Sequence, residues 1–334
     1  MNTNVHLSER HFQSVHKELG QLREALQKVI VGQDTLIDEL ITAVFAGGHV
    51  LIEGMPGLGK THLVKGLAAC ISLDLSRIQC TPDLMPADIT GSEILVQDEA
   101  GQHHLDFRPG PIFAPVVLVD EINRATPKTQ AALLESMQER QVTLAGKRYA
   151  LPQPFWVVAT QNPIELEGTY PLPEAQLDRF MFKVQVPYPD DAALLSMIDV
   201  SLDDEPADHL SVILAAQQIA QIMDQARKVF VADTVKQAAV GLILATHPER
   251  KEAMPASRQH IRYGSSPRGM QALLRSARMH ALLQGRAQVA FDDLRSVALP
   301  ALRHRVLLKM ESEMDGVDTD TVLTDIISQC LPAR

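Results

Sequence analysis

Apolar residues recur at spacings of three and four over residues 8 to 30, the pattern of one face of an amphipathic helix. The positions that share this spacing are Val15, Leu19, Leu22, Leu26 and Val29. Gly32 interrupts the pattern, and a second helix is predicted over residues 35 to 46, before Gly47 and Gly48. Residues 1 to 30 are therefore predicted to form an N-terminal helical segment.

Short apolar runs follow, and most are separated by stretches of helical spacing. The runs with strand character are Val50 to Ile52, Ser76 to Cys80, Val116 to Val119, Phe155 to Thr160 and Met181 to Val186. Strands that are apolar throughout and alternate with helices are typical of a parallel sheet covered on both faces. The pattern predicts an α/β fold with a parallel five-stranded sheet.

Two stretches, residues 93 to 107 and 141 to 151, each show two short runs around a polar turn and are predicted to be β-hairpins. Beyond Pro187 and Pro189 the strand pattern fades. Helices are predicted over residues 191 to 201, 208 to 226, 232 to 246, 267 to 284 and 291 to 307. A boundary near residue 190 would divide an α/β core, residues 31 to 190, from a smaller all-helical domain, residues 191 to 334.

Composition narrows the class of protein. The 334 residues include 41 acidic and 31 basic side chains, a formal net charge of -10, which gives no general attraction to nucleic acid or to an anionic membrane. The three cysteines form no C-x-x-C pair, so neither a disulfide framework nor a zinc site is indicated. No signal peptide and no membrane-spanning run is recognisable, and a cytoplasmic location is expected.

The stretch from Gly54 to Thr61 fits the phosphate-loop pattern G-x-x-x-x-G-K-[ST], between an apolar strand and a helix. We expect its three glycines, Gly54, Gly57 and Gly59, to allow positive φ and to bring backbone N–H groups against anionic oxygens. The other predicted nucleotide-binding positions of this stretch are Pro56, Leu58, Lys60, Thr61 and His62. Lys60 would neutralise the β and γ phosphates, and the Thr61 hydroxyl would be a ligand for Mg²⁺.

Asp120 and Glu121 follow the apolar strand that ends at Val119. One carboxylate at such a strand end can bind Mg²⁺ and the other can orient the attacking water. An acidic pair at a helix start is the alternative interpretation, but the upstream phosphate loop favours the catalytic one. Asn162 also follows a strand, where its amide could reach the γ phosphate or simply form a turn before Pro163.

Two arginines stand out. Arg268 follows Ser266 and Pro267, so it lies at the positive end of its own helix, where a carboxylate is preferred. A basic residue at this unfavourable position predicts a functional arginine that reaches the nucleotide. The alternative is a surface arginine. Arg179 precedes the last strand, and from the residues alone a surface ion pair with Asp178 or Glu174 is the simpler interpretation.

Taken together, the motifs resemble those of the AAA+ ATPases and, among them, the MoxR family. The matching stretches are Gly54 to Thr61, Phe107 to Ile112, Val117 to Ala125, Ala159 to Pro163, Leu172 to Phe180 and Ser266 to Arg268. The resemblance implies that Asn162 is the sensor of the γ phosphate, that Arg179 is a finger inserted into a neighbouring subunit's site, and that Arg268 is the second sensor on the lid. Ile30 to Gln33, which include Val31 and Gly32, would lie near the adenine.

The resemblance also implies the function. It predicts an ATPase that uses ATP and Mg²⁺ in a homo-oligomeric ring, usually a hexamer, and that remodels or activates a protein client. The two hairpins would face the pore or a partner, which is typically a protein with a von Willebrand factor A domain. A nucleic-acid-remodelling motor and a non-hydrolysing, nucleotide-gated scaffold are the alternatives. Lys147 and Arg148 favour the motor, whereas Glu121 and Arg179 would be superfluous in the scaffold.

Overall fold

The first helix of the computed structural model, α1 (Asn2–Val29), begins six residues before the predicted start at residue 8. The structure describes residues 2–30, 32–98, 102–164, 168–189, 191 and 210–331, with side chains from Phe12 onward. Val31 and the predicted helix over 191 to 201, apart from residue 191, lie outside the described residues. The second helix, α2 (Asp34–Phe45), closely matches the predicted range.

A five-stranded parallel sheet forms the centre of the first half of the chain, as the sequence predicts. Its strands are β1 (Val50–Glu53), β2 (Leu75–Gln79), β5 (Val116–Asp120), β8 (Trp156–Gln161) and β9 (Phe182–Gln185). Their spatial order is β2-β5-β8-β1-β9. The central strand β8 therefore lies between β1 and β5, and the carboxyl ends of these three strands meet at one edge of the sheet.

Both faces of this sheet are buried, which explains why its central strands are apolar throughout. On β5, Val116 and Leu118 join one hydrophobic cluster, whereas Val117 and Val119 join another on the opposite face. Each strand alternates between the two faces because successive side chains point in opposite directions.

Helices and hairpins surround the sheet. The helices of the core are α3 (Lys60–Cys70), α4 (Pro86–Thr90), α5 (Pro127–Glu139) and α6 (Glu174–Leu177). The hairpins pair β3 (Gly91–Gln97) with β4 (His103–Pro109) and β6 (Gln141–Leu144) with β7 (Lys147–Ala150). Both hairpins are where the sequence predicts them; residues 99 to 101 of the first turn lie outside the described residues.

The second half of the chain is helical, with two departures from the predicted pattern. Its helices are α7 (Ala216–Lys228), α8 (Asp233–Ala245), α9 (Pro255–His260), α10 (Pro267–Leu283), α11 (Phe291–Leu302), α12 (Met310–Met314) and α13 (Thr319–Cys330). The helix predicted over 208 to 226 begins only at Ala216, and the one over 291 to 307 ends at Leu302. Chain segments β10 (Ile261–Tyr263) and β11 (Leu307–Leu308) pair instead as a short antiparallel ladder, which accounts for the early end.

The N-terminal helix packs against both halves of the chain. Its side chains Leu22 and Leu26 are fully buried in the same hydrophobic cluster as Leu67 of α3 and as Leu273 and Leu282 of α10. Burial of a leucine side chain contributes about 2 kcal/mol. The helix therefore joins the core to the helical domain around one continuous apolar cluster.

Candidate active site

The phosphate loop, Gly54 to Thr61, leads from β1 into α3 and forms one wall of a cavity of about 300 Å³. The residues predicted from sequence that line this cavity are Pro56, Gly57, Leu58, Gly59, Lys60, Thr61, His62, Asp120, Glu121 and Asn162. They come together because β1, β8 and β5 are neighbours and all end at this edge of the sheet.

The glycines of the loop play two different roles. Gly57 and Gly59 have φ values of 83° and 74°, as predicted, a backbone conformation that glycine adopts without steric cost. Gly54 does not have a positive φ, which corrects the prediction. A side chain is excluded at Gly54 for another reason, because its Cβ would lie 2.9 Å from the Cβ of Val186.

Lys60 contributes a cation to the cavity. Its Nζ donates a hydrogen bond to the carbonyl oxygen of Gly54 at 2.5 Å, so the side chain folds back over the loop. Burial lowers the pKa of Lys60 from its usual value, and the charges of Asp120, Glu121 and Glu53 oppose that shift. A phosphate would find a half-buried ammonium group already placed above the loop.

Thr61 and Asp120 fit a magnesium ion. The Thr61 Oγ1 lies 3.4 Å from Oδ1 of Asp120, and both side chains offer oxygen, the ligand atom that Mg²⁺ prefers. No group of three or more His, Cys, Asp or Glu that could hold a metal occurs in the described part of the chain. The two oxygen ligands of Thr61 and Asp120 suit Mg²⁺, which binds through one or two protein ligands together with phosphate oxygens.

Glu121 lies in a strained and supported position. Its backbone is left-handed, with a φ of 56°, and its N–H donates to Oγ1 of the buried Thr160 at 2.9 Å. Strained residues of this kind cluster at active sites, where the surrounding structure holds them in place. The carboxylate of Glu121 is thus directed by the backbone into the cavity that Lys60 and Asp120 share.

Two residues of β2 complete the site and were not predicted. Arg77 Nε donates to Oδ2 of Asp120 at 2.7 Å, and Arg77 Nη2 donates to Oε1 of Gln79 at 2.9 Å. Gln79 Nε2 in turn donates to Oε2 of Glu121 at 3.2 Å. Arg77 and Gln79 thus link the carboxylates of Asp120 and Glu121 through hydrogen bonds. The available signal was polar residues two apart at the end of a strand, since Arg77 and Gln79 share one face of β2.

Asn162 is buried beside the cavity, and the structure shows the turn that the alternative interpretation proposed. Its Oδ1 accepts a hydrogen bond from the N–H of Ile164 at 3.2 Å. The side-chain NH₂ then remains as the group that can donate to a phosphate oxygen. Turn and sensor are therefore compatible roles for Asn162.

A larger cavity, of about 650 Å³, begins beside the phosphate loop. It is lined by Gly54 and Met55 of the loop and by Gly32, Gln33 and Pro187. The side chain of Gln33 is buried, and neither of its polar atoms has a hydrogen-bond partner among the described residues. Gly32, which the resemblance predicts near the adenine, lines this cavity, and Val31, predicted with it, lies outside the described residues.

Arg179 and Arg268 lie together, away from the phosphate loop. Both line a third cavity, of about 320 Å³, with Arg140, Arg275 and Arg305. Among the described residues that line the phosphate-loop cavity, neither Arg179 nor Arg268 occurs. Arg268, predicted to reach the nucleotide from the helical domain, lies in this structure at the start of α10, beside the segment that carries Arg179.

The surface ion pair considered for Arg179 is not formed either. Within the described part of the chain, Arg179 makes no salt bridge with Asp178 or Glu174, and its buried Nε has no hydrogen-bond partner. Asp178 pairs with Arg305 instead, at 2.7 Å. Arg268 approaches Asp178 only to 3.9 Å and is half exposed. Two arginines thus face a cavity without a close carboxylate of their own.

Comparison with known proteins identifies the family. A family described as "ATPase family associated with various cellular activities (AAA)" matches residues 49–182, and an AAA lid domain matches residues 254–326. The chain is 40% identical to YeaC of Bacillus subtilis, with 95% of each chain covered. It is 37% identical to Chaperone MoxR1 of Mycobacterium tuberculosis, with 90% of this chain and 79% of that protein covered. The chain belongs to the MoxR family of AAA+ ATPases.

Other relatives agree with this assignment. Protein MoxR of Methylorubrum extorquens is 32% identical, with 94% of each chain covered. The crystal structure of a proposed ATPase from Cytophaga hutchinsonii superposes with a TM-score of 0.88 at 36% identity, over 98% of both chains. The MoxR fold of this chain, a parallel α/β core followed by a helical lid, is thus seen in a solved structure. No described helix is long and apolar enough to cross a membrane.

Proposed function

We propose that this chain hydrolyses Mg-ATP at a site shared between two subunits of a ring and uses the resulting movement to remodel a protein client. The observation that carries the proposal is the separation of the two halves of the site. The phosphate loop, Asp120 and Glu121 line one cavity, whereas Arg179 and Arg268 line another. A neighbouring subunit that apposes these two cavities would complete the site.

The residues of the first cavity have distinct tasks in this reaction. Lys60 and the N–H groups of the loop bind the phosphates, and the amide of Asn162 contacts the γ phosphate. Glu121 accepts the hydrogen bond of the attacking water and orients it. Thr61 and Asp120 would hold Mg²⁺, which neutralises charge on the phosphates. Arg77 holds Oδ2 of Asp120 and so leaves Oδ1 directed toward Thr61.

The arginines supply positive charge from outside the subunit. As the bond to the leaving group breaks, negative charge is spread over the outer oxygens of the transferred phosphoryl group and develops on the leaving oxygen. Arg179 and Arg268 of the adjacent chain would stabilise that charge. A heterologous interface of this kind closes into a ring when the rotation between subunits permits it, and the family resemblance favours a hexamer.

The client and partner surface is proposed at the first hairpin. Leu95 of β3 and Leu105 of β4 are directly paired across the ladder and are 66% and 59% exposed. An exposed apolar pair on a projecting hairpin suits contact with another protein. A von Willebrand factor A domain protein is the partner that the family resemblance favours. The test is capture of that partner by the Glu121→Gln form with ATP, and loss of capture in a Leu95→Ser form.

Mixed subunits test the shared site directly. We expect Arg179→Ala to lower turnover about 10³-fold or more, because the charge on the phosphoryl group is no longer stabilised. Mixing it with Lys60→Ala subunits, which cannot bind nucleotide but carry an intact arginine face, should restore activity. With random assembly about a quarter of the interfaces would then be competent, since each interface has one acceptor and one donor.

The double variant Lys60→Ala, Arg179→Ala is the matched control, and it should restore nothing. Absence of rescue in every Lys60→Ala mixture that forms rings would contradict the shared site. A nucleic-acid motor is a second candidate, and the exposed pair Lys147 and Arg148 on β7 is the observation in its favour. Stimulation of turnover by DNA would support that alternative.

A further inference from the structure

Arg305 of the helical domain is almost completely buried against the segment that carries Arg179. Its guanidinium donates to Oδ1 of Asp178 at 2.7 Å, to the carbonyl oxygen of Asp178 at 3.1 Å and to that of Phe180 at 2.6 Å. It also donates to the carbonyl oxygens of Met181, at 3.1 Å, and Ala301. The backbone on both sides of Arg179 is thus bonded to one side chain of the other domain.

Asp178 connects the same segment to the start of α10. Its two carboxylate oxygens accept hydrogen bonds from Ser266 Oγ at 3.1 and 3.0 Å. Ser266 is the N-cap of α10, and its Oγ accepts from the N–H of Arg268 at 3.2 Å. The carboxylate of Asp178 therefore contacts both Arg305, which binds the backbone around Arg179, and Ser266, the N-cap next to Arg268.

The packing around Arg305 leaves little freedom. A Cβ on Gly269, in the first turn of α10, would lie 3.0 Å from Cδ of Arg305 and 2.1 Å from Oγ of Ser265. Burial lowers the pKa of Arg305 from its usual value, and the hydrogen bond to Asp178 opposes that shift. The guanidinium remains the charged partner of Asp178 inside a nearly dry contact, where removal of either charge leaves the other uncompensated.

We infer that Arg305 and Asp178 are positioning residues that hold Arg179 and Arg268 as one preformed pair for the active site of a neighbouring subunit. The inference rests on the shared site proposed above. Neither arginine is fixed by a close ion pair of its own: Nε of Arg179 has no partner among the described residues, and Arg268 lies 3.9 Å from Asp178. Arg268 also donates one long hydrogen bond to Oε1 of Gln138, at 3.5 Å. The backbone that the clamp of Arg305 and Asp178 holds is the contact that the two arginines share, and it places them together.

Charge-preserving and shape-preserving variants test the clamp. Arg305→Lys keeps a cation but cannot make the forked contacts, and Asp178→Asn keeps the shape but loses the charge. We expect each to lower kcat about tenfold or more, because a displacement of about 1 Å at a catalytic group can cost as much as 100-fold. KM for ATP should change less than about twofold, since the phosphate-loop cavity does not include these residues.

Arg286→Lys is the matched control. Arg286 also binds a buried carboxylate of the helical domain, Asp293, with two nitrogens, but Asp293 is bonded to His280 and Ala290 rather than to the segment of Arg179. Its kcat should stay within about twofold of wild type. Ser266→Ala removes the neutral contact with Asp178 together with the N-cap contact to the N–H of Arg268. It serves as the second variant if Arg305→Lys does not fold, and it should lower kcat several-fold.

Mixed rings of two variants distinguish a positioning role of Arg305 from a general loss of folding or assembly. Lys60→Ala subunits carry an intact clamp and should restore the activity of Arg305→Lys subunits, whereas subunits with both Lys60→Ala and Arg179→Ala should not. Full activity of Arg305→Lys, Asp178→Asn and Ser266→Ala beside an inactive Arg179→Ala would overturn the clamp and leave the shared site standing. Loss of activity that Lys60→Ala subunits do not restore would also overturn it. Failure of Arg179→Ala itself to be rescued would overturn the shared site first.

Discussion

Glu121 combines a left-handed backbone with the acidic side chain that the proposed reaction needs. A non-glycine residue in this conformation costs about 1–2 kcal/mol, and here its N–H is held by the hydroxyl of Thr160. The sharp turn after β5 allows Asp120 to stay buried under the phosphate loop while Glu121 faces the cavity. Adjacent carboxylates can therefore serve the metal and the water separately.

Two substitutions separate binding from hydrolysis. We expect Glu121→Gln to retain affinity for Mg-ATP and to lose turnover, because the amide keeps the contacts of the side chain but no longer orients the water as a carboxylate does. Lys60→Ala should instead lose affinity, because the cation above the loop is gone. Equilibrium binding of a fluorescent ATP analogue and steady-state turnover measure the two effects. Equal turnover in wild type and Glu121→Gln would remove Glu121 from the mechanism.

Glu39 of α2 predicts a pH dependence of stability. Burial raises its pKa from the ordinary 4.5 to about 7, and the charge of Arg303 opposes that shift. Between these two values the folded chain holds a proton that the unfolded chain has released, so the contribution of Glu39 to the free energy of unfolding falls as pH rises. We expect Glu39→Gln to match wild type near pH 4.5 and to be about 2–3 kcal/mol more stable at pH 8.

Denaturant unfolding at several pH values without nucleotide measures this difference. Glu135→Gln, which changes an exposed carboxylate on α5, is the control and should show a difference near zero throughout. A constant difference between Glu39→Gln and wild type from pH 4.5 to 8 would contradict the assignment.

At the residue scale, short motifs in the sequence predicted which residues line the phosphate-loop cavity. They did not predict the contacts between residues that are far apart in the chain. Lys60, Asp120 and Glu121 follow from residue types at fixed spacing next to apolar strands, so sequence was sufficient for them. Arg77 was missed because its role depends on β2 being the neighbour of β5, which is a property of strand order. The contact of Arg305 with Asp178 spans 127 positions, and no local pattern indicates it.

At the scale of elements, the first hairpin depends on one close approach at its base. Gly91 has a φ of 88°, and an added Cβ would lie 2.2 Å from the carbonyl oxygen of Arg108 and 2.6 Å from the N of Gly110. Gly146, in the turn of the second hairpin, has a similar φ of 78°, but a Cβ there would meet nothing within 4 Å. Comparison of the two glycines therefore separates the effect of a steric clash from the effect of the backbone conformation.

We therefore expect Gly91→Ala to destabilise the chain more than Gly146→Ala does. The Gly146 variant should lose about 1–2 kcal/mol from its backbone conformation, and the Gly91 variant about 2 kcal/mol more, because strand β4 must move. Denaturant midpoints of the two variants provide the measurement. Equal losses would show that the base of the hairpin yields easily to an added methyl group.

The same scale shows why the core was predicted better than the lid. The central strands β1, β5 and β8 are largely apolar runs next to stretches of helical spacing, and that combination has few other interpretations. In the second half every element is helical or very short. The residues after Leu302 have apolar spacing that suits a helix, yet Leu307 and Leu308 pair with β10, and only tertiary contact decides between the two.

At the scale of the whole molecule, the residues that we propose for the reaction line two separate cavities. The sequence suggested that Arg268 approaches the nucleotide, but it gave no information on which surface the start of α10 occupies. The structure places this helix start beside Arg179, where the clamp of Arg305 and Asp178 connects core and lid. Movement of the lid would therefore displace Arg179 and Arg268 together. In the proposed ring, this displacement would alter the active site of the neighbouring subunit.

This arrangement predicts that turnover depends on protein concentration. A dilute subunit has a complete phosphate loop, but neither Arg179 nor Arg268 lines its cavity. Turnover per subunit should therefore be low, rise as subunits associate, and reach a plateau once rings form. Sedimentation with Mg-ATP and turnover measured over the same range should give coincident curves. Arg179→Ala should associate similarly and stay inactive at every concentration. A monomer that turns over at the plateau rate would show that each chain completes its own site.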